Sequence, residues 1–314
     1  MAKLVYLKDI EHNPNTVVTV GTFDGVHEGH RALMETVVKK AKQRNARSVV
    51  VTFDPHPRTI ISSNKSSIRL LTSLKERAEI LETIGIDVLC VIPFTRDFSL
   101  LSSEEFVKDE IHKKIGISEF VIGYDHHFGK DRSGTIETLE NLGPKLDFDV
   151  YVVSKREMGE VTISSTVIRK SIQEDGDMNQ AEKLLGRPYL LNGVVIHGDE
   201  RGREIGFPTA NLQAEHPDKI IPKNGIYAVM TRVDDVWYKG MMNIGIRPTF
   251  SGETKSLEVN IFDFNQFIYG KTVQIRFFDR IRDEKKFNGV EELKEQLIID
   301  RIKSLEVLST YTIY

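Results

Sequence analysis

The hydrophobic pattern changes character once along this chain, and that change constrains the fold more than any other feature. Before Gly186-Arg187-Pro188, short runs that are apolar throughout alternate with helical segments. Residues 17–20, 48–53, 88–92, 120–123 and 150–153 read as strands, and 30–43, 74–84 and 104–115 as helices. Ser73 and Glu76 give the second helix a capping-box start. Strands without polar alternation are buried on both faces, and strands separated by helices form a parallel sheet covered on both sides. An α/β domain over 1–185 is therefore expected. After the change come successive strand-like runs at 190–197, 227–233, 236–242, 256–262 and 272–278, with turns at Gly198-Asp199 and Asp234-Asp235. A helix over 290–301 follows, with Val290, Leu293, Leu297 and Ile298 as its expected packing face. Strands without intervening helices predict a small antiparallel β-barrel over 186–314.

A length of 314 residues suits two such domains. The formal net charge of −3 provides no global field for a nucleic acid or an anionic membrane. The single cysteine, Cys90, lies in an apolar run and is expected to be a buried thiol; alone it makes no internal disulfide and no cysteine-rich zinc site. Residues 1–10 carry Lys3, Lys8 and Asp9 and no signal-peptide core, and no segment approaches the roughly 18 apolar residues of a membrane span. The expected compartment is the cytoplasm.

Four motifs of the first half fall at strand ends. Gly21-Thr22-Phe23-Asp24-Gly25-Val26-His27-Glu28-Gly29-His30 follows the first strand, Asp54-Pro55-His56-Pro57 the second and Gly123-Tyr124-Asp125-His126-His127-Phe128-Gly129-Lys130-Asp131-Arg132 the fourth; Ile163-Ser164-Ser165-Thr166-Val167-Ile168-Arg169 opens a late helix. Ligands of open parallel sheets bind outside the carboxyl ends of the strands, so these motifs are expected to share one crevice. The chemistry suits a triphosphate. Gly21, Gly25 and Gly29 let backbone approach a ligand, and His27 and His30 sit side by side at a helix start, where the dipole and free N–H groups attract anions. Ser164, Ser165 and Thr166 are either an N-cap or a second phosphate grip, with Arg169 one turn further on. His126 and His127 have no evident third ligand for a metal.

The second half has no GxxxxGK[ST] sequence, so a Walker-type kinase is excluded. Between residues 256 and 262, Leu257, Val259 and Ile261 alternate with Glu258 and Asn260, which turns Glu258 away from the apolar face. It is either a solvated carboxylate or a base. Thr209 and Asn211 are two apart, so in an extended segment they share a face, either as turn-stabilising groups or as oxygens for Mg²⁺. Gly198, Gly202 and Gly206 allow close approach to phosphates, while Arg201, Arg203 and Lys223 carry no assignment.

GTFDGVHEGH resembles the HxGH signature of nucleotidylyltransferases. Together with FDPHP, GYDHHFGKDRSG, ISSTVIRKSI and, in the second half, GFPTANL, PKNGIY, NIGIRPTF and LEVNIF, it resembles bacterial bifunctional riboflavin kinase/FAD synthetases over essentially the whole chain. The resemblance implies a Rossmann-like nucleotidylyltransferase domain followed by a riboflavin kinase barrel. It implies phosphorylation of riboflavin to FMN and then adenylylation of FMN to FAD, with ATP and Mg²⁺ required. The implied catalytic residues are Glu258, His27, His30 and Arg169. ATP falls to Gly21, Phe23, Asp24, Gly25, Gly29, Ser164, Ser165 and Thr166 in front and to Gly202 and Gly206 behind. Flavin falls to Asp54, Pro55, His56, Asp125, Asn243 and Arg247, and the metal to Thr209 and Asn211. The pair His126-His127 departs from the aromatic-basic pair of the family. The implied partners are these small molecules, with no nucleic acid and no membrane; weak self-association stays open.

Overall fold

The computed structural model describes residues 2–61, 68–154, 163–198, 202, 205–249 and 252–311. They form two compact units, Met1–Ser164 and Ser165–Tyr314.

The first unit is built on a six-stranded sheet of β1 (Lys3–Tyr6), β2 (Thr16–Val20), β3 (Arg47–Asp54), β4 (Val88–Pro93), β5 (Glu119–Gly123) and β6 (Asp149–Val153). The order is β1-β4-β3-β2-β5-β6, and all pairs are parallel. Between the strands run α1 (Glu28–Arg44), α2 (Pro57–Ile61), α3 (Leu74–Ile84), α4 (Ser103–Glu105), which continues in wider π-type turns over Phe106–Ile115, and α5 (Ile136–Leu146). Adjacent strand residues serve opposite faces. Val18, Val49, Val51 and Cys90 pack with Phe106, Ile111 and Leu139, whereas Val17, Val50 and Leu89 pack with Met34, Val37 and Leu81. This double coverage explains why the strands show no alternation. It also leaves Cys90 fully buried, with its thiol pushed up to about 12 by burial. The capping box of α3 forms as expected, Ser73 Oγ accepting from Glu76 N–H and Glu76 accepting from Ser73 N–H.

Strand order reverses between β2 and β5, which pair directly. The loops leaving these two strands therefore flank the switch point, where an open α/β sheet has its ligand crevice.

The second unit starts with α6 (Ser165–Lys170), continued by wider turns over Ser171–Asp175, and α7 (Met178–Leu185), closed by Gly186 with φ 71°. Six strands then close into an antiparallel barrel: β7 (Tyr189–Ile196), β8 (Ala210–Ala214), β9 (Gly225–Val233), β10 (Val236–Thr249), β11 (Gly252–Ile261) and β12 (Thr272–Arg282). Asp234 and Asp235, with φ 46° and 67°, form the two-residue turn joining β9 to β10. The division by contacts precedes the change of pattern near residue 186 because α7 belongs with the barrel. Asn179 on α7 donates to Asp279 of β12 at 3.1 Å, and Tyr311 donates to Glu182 at 3.2 Å.

The terminal helix α8 (Val290–Ser309) is longer than expected and turned differently. Val290 and Ile298 are 53% and 52% exposed, while Asp300, Ser304 and Leu308 are buried. A polar anchor sets this rotation. Arg282 of β12 grips the Asp300 carboxylate with three contacts of 2.7–3.0 Å, and Gln296 donates to it at 2.9 Å. Removing one partner of a buried ion pair strands the other, so Asp300→Ala is expected to cost about 3–5 kcal/mol of unfolding free energy in the barrel unit. Urea denaturation of the full chain, followed by the Trp237 fluorescence of that unit, measures it.

Candidate active sites

In the first unit β2 ends at Val20, and Gly21 N–H still donates to Val51 O at 3.0 Å. A Cβ on Gly21 would stand 2.7 Å from the Phe23 ring, so glycine lets that ring fold back over the strand end. The backbone then takes positive φ at Phe23 (44°), Gly25 (91°) and Val26 (39°). For the two non-glycine residues this is strained, by about 1–3 kcal/mol each, and the surroundings hold it. Asp24, 1% exposed, accepts from the backbone N–H of Leu71 and of Thr72, each at 3.0 Å, and lies 3.7 Å from the Arg77 guanidinium. The Thr72 hydroxyl accepts from Gly25 N–H at 3.0 Å. Asp24 is thus placed inward, as an anchor of the loop.

The loop delivers His27 as the N-cap of α1, with its carbonyl accepting from His30 N–H at 2.7 Å. The two imidazoles stack with centroids 3.7 Å apart, and Phe23 packs edge-on against His30 at 5.2 Å. A Cβ on Gly29 would stand 3.1 Å from His27 Nδ1 and 3.4 Å from Ile163 Cβ. Glycine here admits the histidine ring and also brings the head of the ISST segment to the start of α1. Part of His30 reaches the surface, but its Nδ1 is buried without a hydrogen-bond partner among the described residues. Burial, followed by the charges of His27, Arg77 and His126, holds the His30 imidazolium well below its ordinary range. The stacked pair lies beside the free N–H groups at the start of a 17-residue helix, which attract an anion.

Asp54, at the end of β3, and His56 are half-buried, and Pro55 is exposed. Asp125 is exposed after β5, with its carbonyl 3.1 Å from His127 Nδ1, and His126 lies close enough to His30 to oppose its protonation. These strand-end groups lie on the neighbouring strands β3, β2 and β5. Ser164 ends the first unit, while Ser165, Thr166 and Arg169 open the second. Two features escaped the sequence reading. One is Arg77, 3% exposed, donating to Thr52 Oγ1 at 2.7 Å beneath the loop. The other is a chain of aromatic rings from Phe53 through Phe94, Phe98 and Phe106 to Phe128, with successive centroids 5.5–6.1 Å apart. Phenylalanines directly before Asp54 and directly after β4 were its visible signal.

In the second unit Glu258 lies on β11 with Asn243 of β10 directly opposite on one side and Asn211 of β8 on the other. Facing residues on paired strands have Cβ atoms about 5 Å apart, so Asn243, Glu258 and Asn211 form one transverse row. All three are partly exposed, whereas Leu257 and Val259 are buried in the barrel. Asn260 secures the neighbouring segment by donating to Pro208 O at 2.6 Å. Thr209 and Asn211 are crowded by glycines: a Cβ on Gly202 would stand 3.3 Å from Thr209 Oγ1, and one on Gly198 would stand 2.0 Å from Asn211 Nδ2. Gly206, with φ 81°, faces open space. A cleft of about 250 Å³ opens beside Thr209, lined by Pro208, Ile261, Phe264, Phe267 and Tyr269. The Arg247 side chain lies outside the described residues, as do Arg201 and Arg203.

Two family models match successive parts of the chain. The model of the FAD synthetase family matches residues 9–167 and that of riboflavin kinase matches residues 185–308. The chain is 39% identical to the bifunctional riboflavin kinase/FMN adenylyltransferase of Bacillus subtilis, over 95% of this chain and 94% of that one. It is 41% identical to the protein of that name from Listeria monocytogenes, over 90% and 89%. A crystal structure described as a macrolide-efflux protein from Streptococcus pneumoniae superposes with a TM-score of 0.86 at 36% identity, covering 98% of this chain and 99% of that one. Among the described residues no helix is long and apolar enough to cross a membrane. The fold and the two family matches thus define a nucleotide-dependent flavin transferase built from two modules. The chain belongs to the bifunctional riboflavin kinase/FMN adenylyltransferase family.

The depressed proton affinity of His30 has a measurable consequence. In the ligand-free protein it is expected to remain neutral as pH falls through about 6.5, where an ordinary imidazole charges. Its contribution to stability is complete above that value and is lost as pH falls from there through the folded pKa. Proton–nitrogen NMR titration checks this, and a His30 resonance titrating near 6.5 would contradict the burial described.

Proposed function

We infer that this chain makes FAD from riboflavin in two ATP-dependent steps, phosphorylation to FMN and then adenylylation to FAD with release of pyrophosphate. The barrel unit performs the first step and the sheet unit the second, with the functional boundary near residue 186. The single observation that best supports the reading is the row Asn243-Glu258-Asn211, a carboxylate flanked by amides on paired strands of the barrel.

The 5′-hydroxyl of the ribityl chain is a poor nucleophile. Glu258 accepts its proton as the oxygen bonds to the γ-phosphorus of ATP and ADP departs. Asn243 and Arg247 hold the flavin, Gly202 and Gly206 cover the phosphates, and the cleft beside Thr209 receives the adenine. Thr209 and Asn211 fit Mg²⁺: they offer few, neutral oxygen donors, leaving the remaining positions to water and phosphate, and the closely packed Gly198 and Gly202 keep side chains out of that space. Bound Mg²⁺ supplies charge neutralisation on the ATP phosphates.

The second step needs no base. The FMN phosphate is largely anionic near neutral pH, so one of its oxygens bonds directly to the α-phosphorus of ATP as the bond to pyrophosphate breaks. Positioning and charge stabilisation suffice. His27, His30 and the backbone at Gly21, Gly25 and Gly29 grip ATP. Asp54, Pro55, His56 and Asp125 define the flavin end, above the aromatic chain that starts at Phe53. The roles of Ser164, Ser165, Thr166 and Arg169 toward the departing pyrophosphate rest on their sequence motif. The use of ATP in both steps supports a cytoplasmic location.

Purified protein is incubated with ATP, Mg²⁺ and riboflavin, and the flavins are separated by chromatography. Glu258→Gln is expected to slow FMN formation by about 10²–10⁴-fold while converting supplied FMN to FAD at the normal rate. His30→Ala is expected to do the reverse. A Glu258→Gln protein that loses both reactions would sink the assignment of separate sites.

A further inference from the structure

The loop that carries His27 and His30 is held in an unfavourable backbone conformation by groups too deep to touch a substrate. Phe23 and Val26, both with side chains that disfavour positive φ, keep it within four residues. Asp24, Thr72 and Arg77 are 1%, 3% and 3% exposed. Their hydrogen bonds reach three loop positions. Arg77 donates to Thr52 Oγ1 at 2.7 Å, and Thr52 in turn donates to Thr22 O at 3.0 Å. Arg77 Nη2 stands 3.7 Å from Asp24 and 3.3 Å from Thr72 O. The Thr72 hydroxyl joins Asp24 Oδ1 at 3.3 Å to Gly25 N–H at 3.0 Å. Only a guanidinium supplies this many donors in a fixed fork.

We propose that Thr72 and Arg77 are positioning residues for adenylyl transfer: with Asp24 they form a buried clasp that fixes the Gly21–His30 loop so that both imidazoles meet the ATP phosphates. The proposal rests on reading that loop as the ATP site. It goes beyond the reading by locating the residues that hold the loop in its reactive shape, one element away on α3 and the turn before it. The charged groups facing His30 are His27 at the N-terminus of α1, Arg77 of α3 and His126 after β5, and all three disfavour its imidazolium. Arg77 therefore acts on the site through its charge as well as through the clasp.

The test uses the full chain, in which riboflavin phosphorylation serves as an internal reference. Thr72→Val keeps the shape and removes the hydroxyl, and Thr72→Ser restores it. Thr72→Val is expected to raise KM for ATP and lower kcat of FMN adenylylation, together by about 10–100-fold in kcat/KM, the scale of a misplacement near 1 Å. Thr72→Ser should recover most of that loss, and the riboflavin phosphorylation rate should not change. Arg77→Met should add a shift of the His30 NMR titration toward 6.5; if that variant does not fold, the Thr72 pair decides. Wild-type kcat and KM in Thr72→Val would overturn the proposal. So would a fall in kcat alone, with unchanged KM and pH profile and no rescue by serine, because that pattern marks a smaller folded fraction. A His30→Ala control separates the two levels. Adenylylation intact in His30→Ala refutes the ATP reading of the loop, whereas its loss there beside normal Thr72→Val and Arg77→Met refutes the clasp alone.

Discussion

A strand that is apolar on both faces has no place along its length for a reactive side chain. In the first unit Val17 and Val18, Val49 and Val50, and Leu89 and Cys90 commit both sheet surfaces to helices. Polar chemistry is pushed to the ends of the strands, and the reversal of strand order between β2 and β5 selects which ends face a crevice. The barrel meets the same requirement by closing on itself. Its interior takes every second residue, so Glu258 and its amide neighbours lie on the other face, in the middle of strands rather than at their ends.

Under the proposed assignment, the two locations suit two nucleophiles. A phosphate monoester arrives charged and needs a cradle of donors, which a helix N-terminus and a glycine-bearing loop provide without any ionised base. Burial holds the proton affinity of His30 below its ordinary range, in keeping with that role. A hydroxyl needs a proton acceptor held in a fixed place, and the middle of a hydrogen-bonded strand is more rigid than a loop. Glu258 has paired strands on both sides. The loop of the first unit has no such ladder and is braced instead by Asp24 and the backbone N–H groups of Leu71 and Thr72.

Local pattern made much of this legible. The alternation around Glu258, the capping box of α3 and the glycines beside His27 are all short-range signals, and each marks a feature found in the structure. What stayed hidden depends on distant pairing. The register that sets Asn243 and Asn211 beside Glu258 joins three strands far apart in sequence. β8 was missed because Pro208 and the neighbouring glycines mask a five-residue strand, and α5 because Gly143 and Pro144 lower its helix propensity. A sequence also does not tell which way a carboxylate points. Asp24, inside the glycine-bearing loop before α1, turns inward to backbone N–H groups. On α8 the barrel face contains Asp300 and Ser304, so an apolar stripe drawn through Val290 and Ile298 pointed to the wrong side.

Buried polar groups that break the binary pattern thus have a common physical origin. Asp300 with Arg282 rotates α8, Asn260 fixes Pro208 beside Thr209, and Asp24 with Arg77 braces the histidine loop. Each joins an element to a neighbour whose apolar packing alone would allow several rotations or heights. Hydrophobic burial is non-directional, whereas a hydrogen bond to a buried carboxylate or carbonyl has one favourable geometry and a high cost if left unmade. In this chain two of the three brace segments next to His27, His30 and Thr209, and the third sets the rotation of α8. They specify position on a framework that the apolar pattern has already folded.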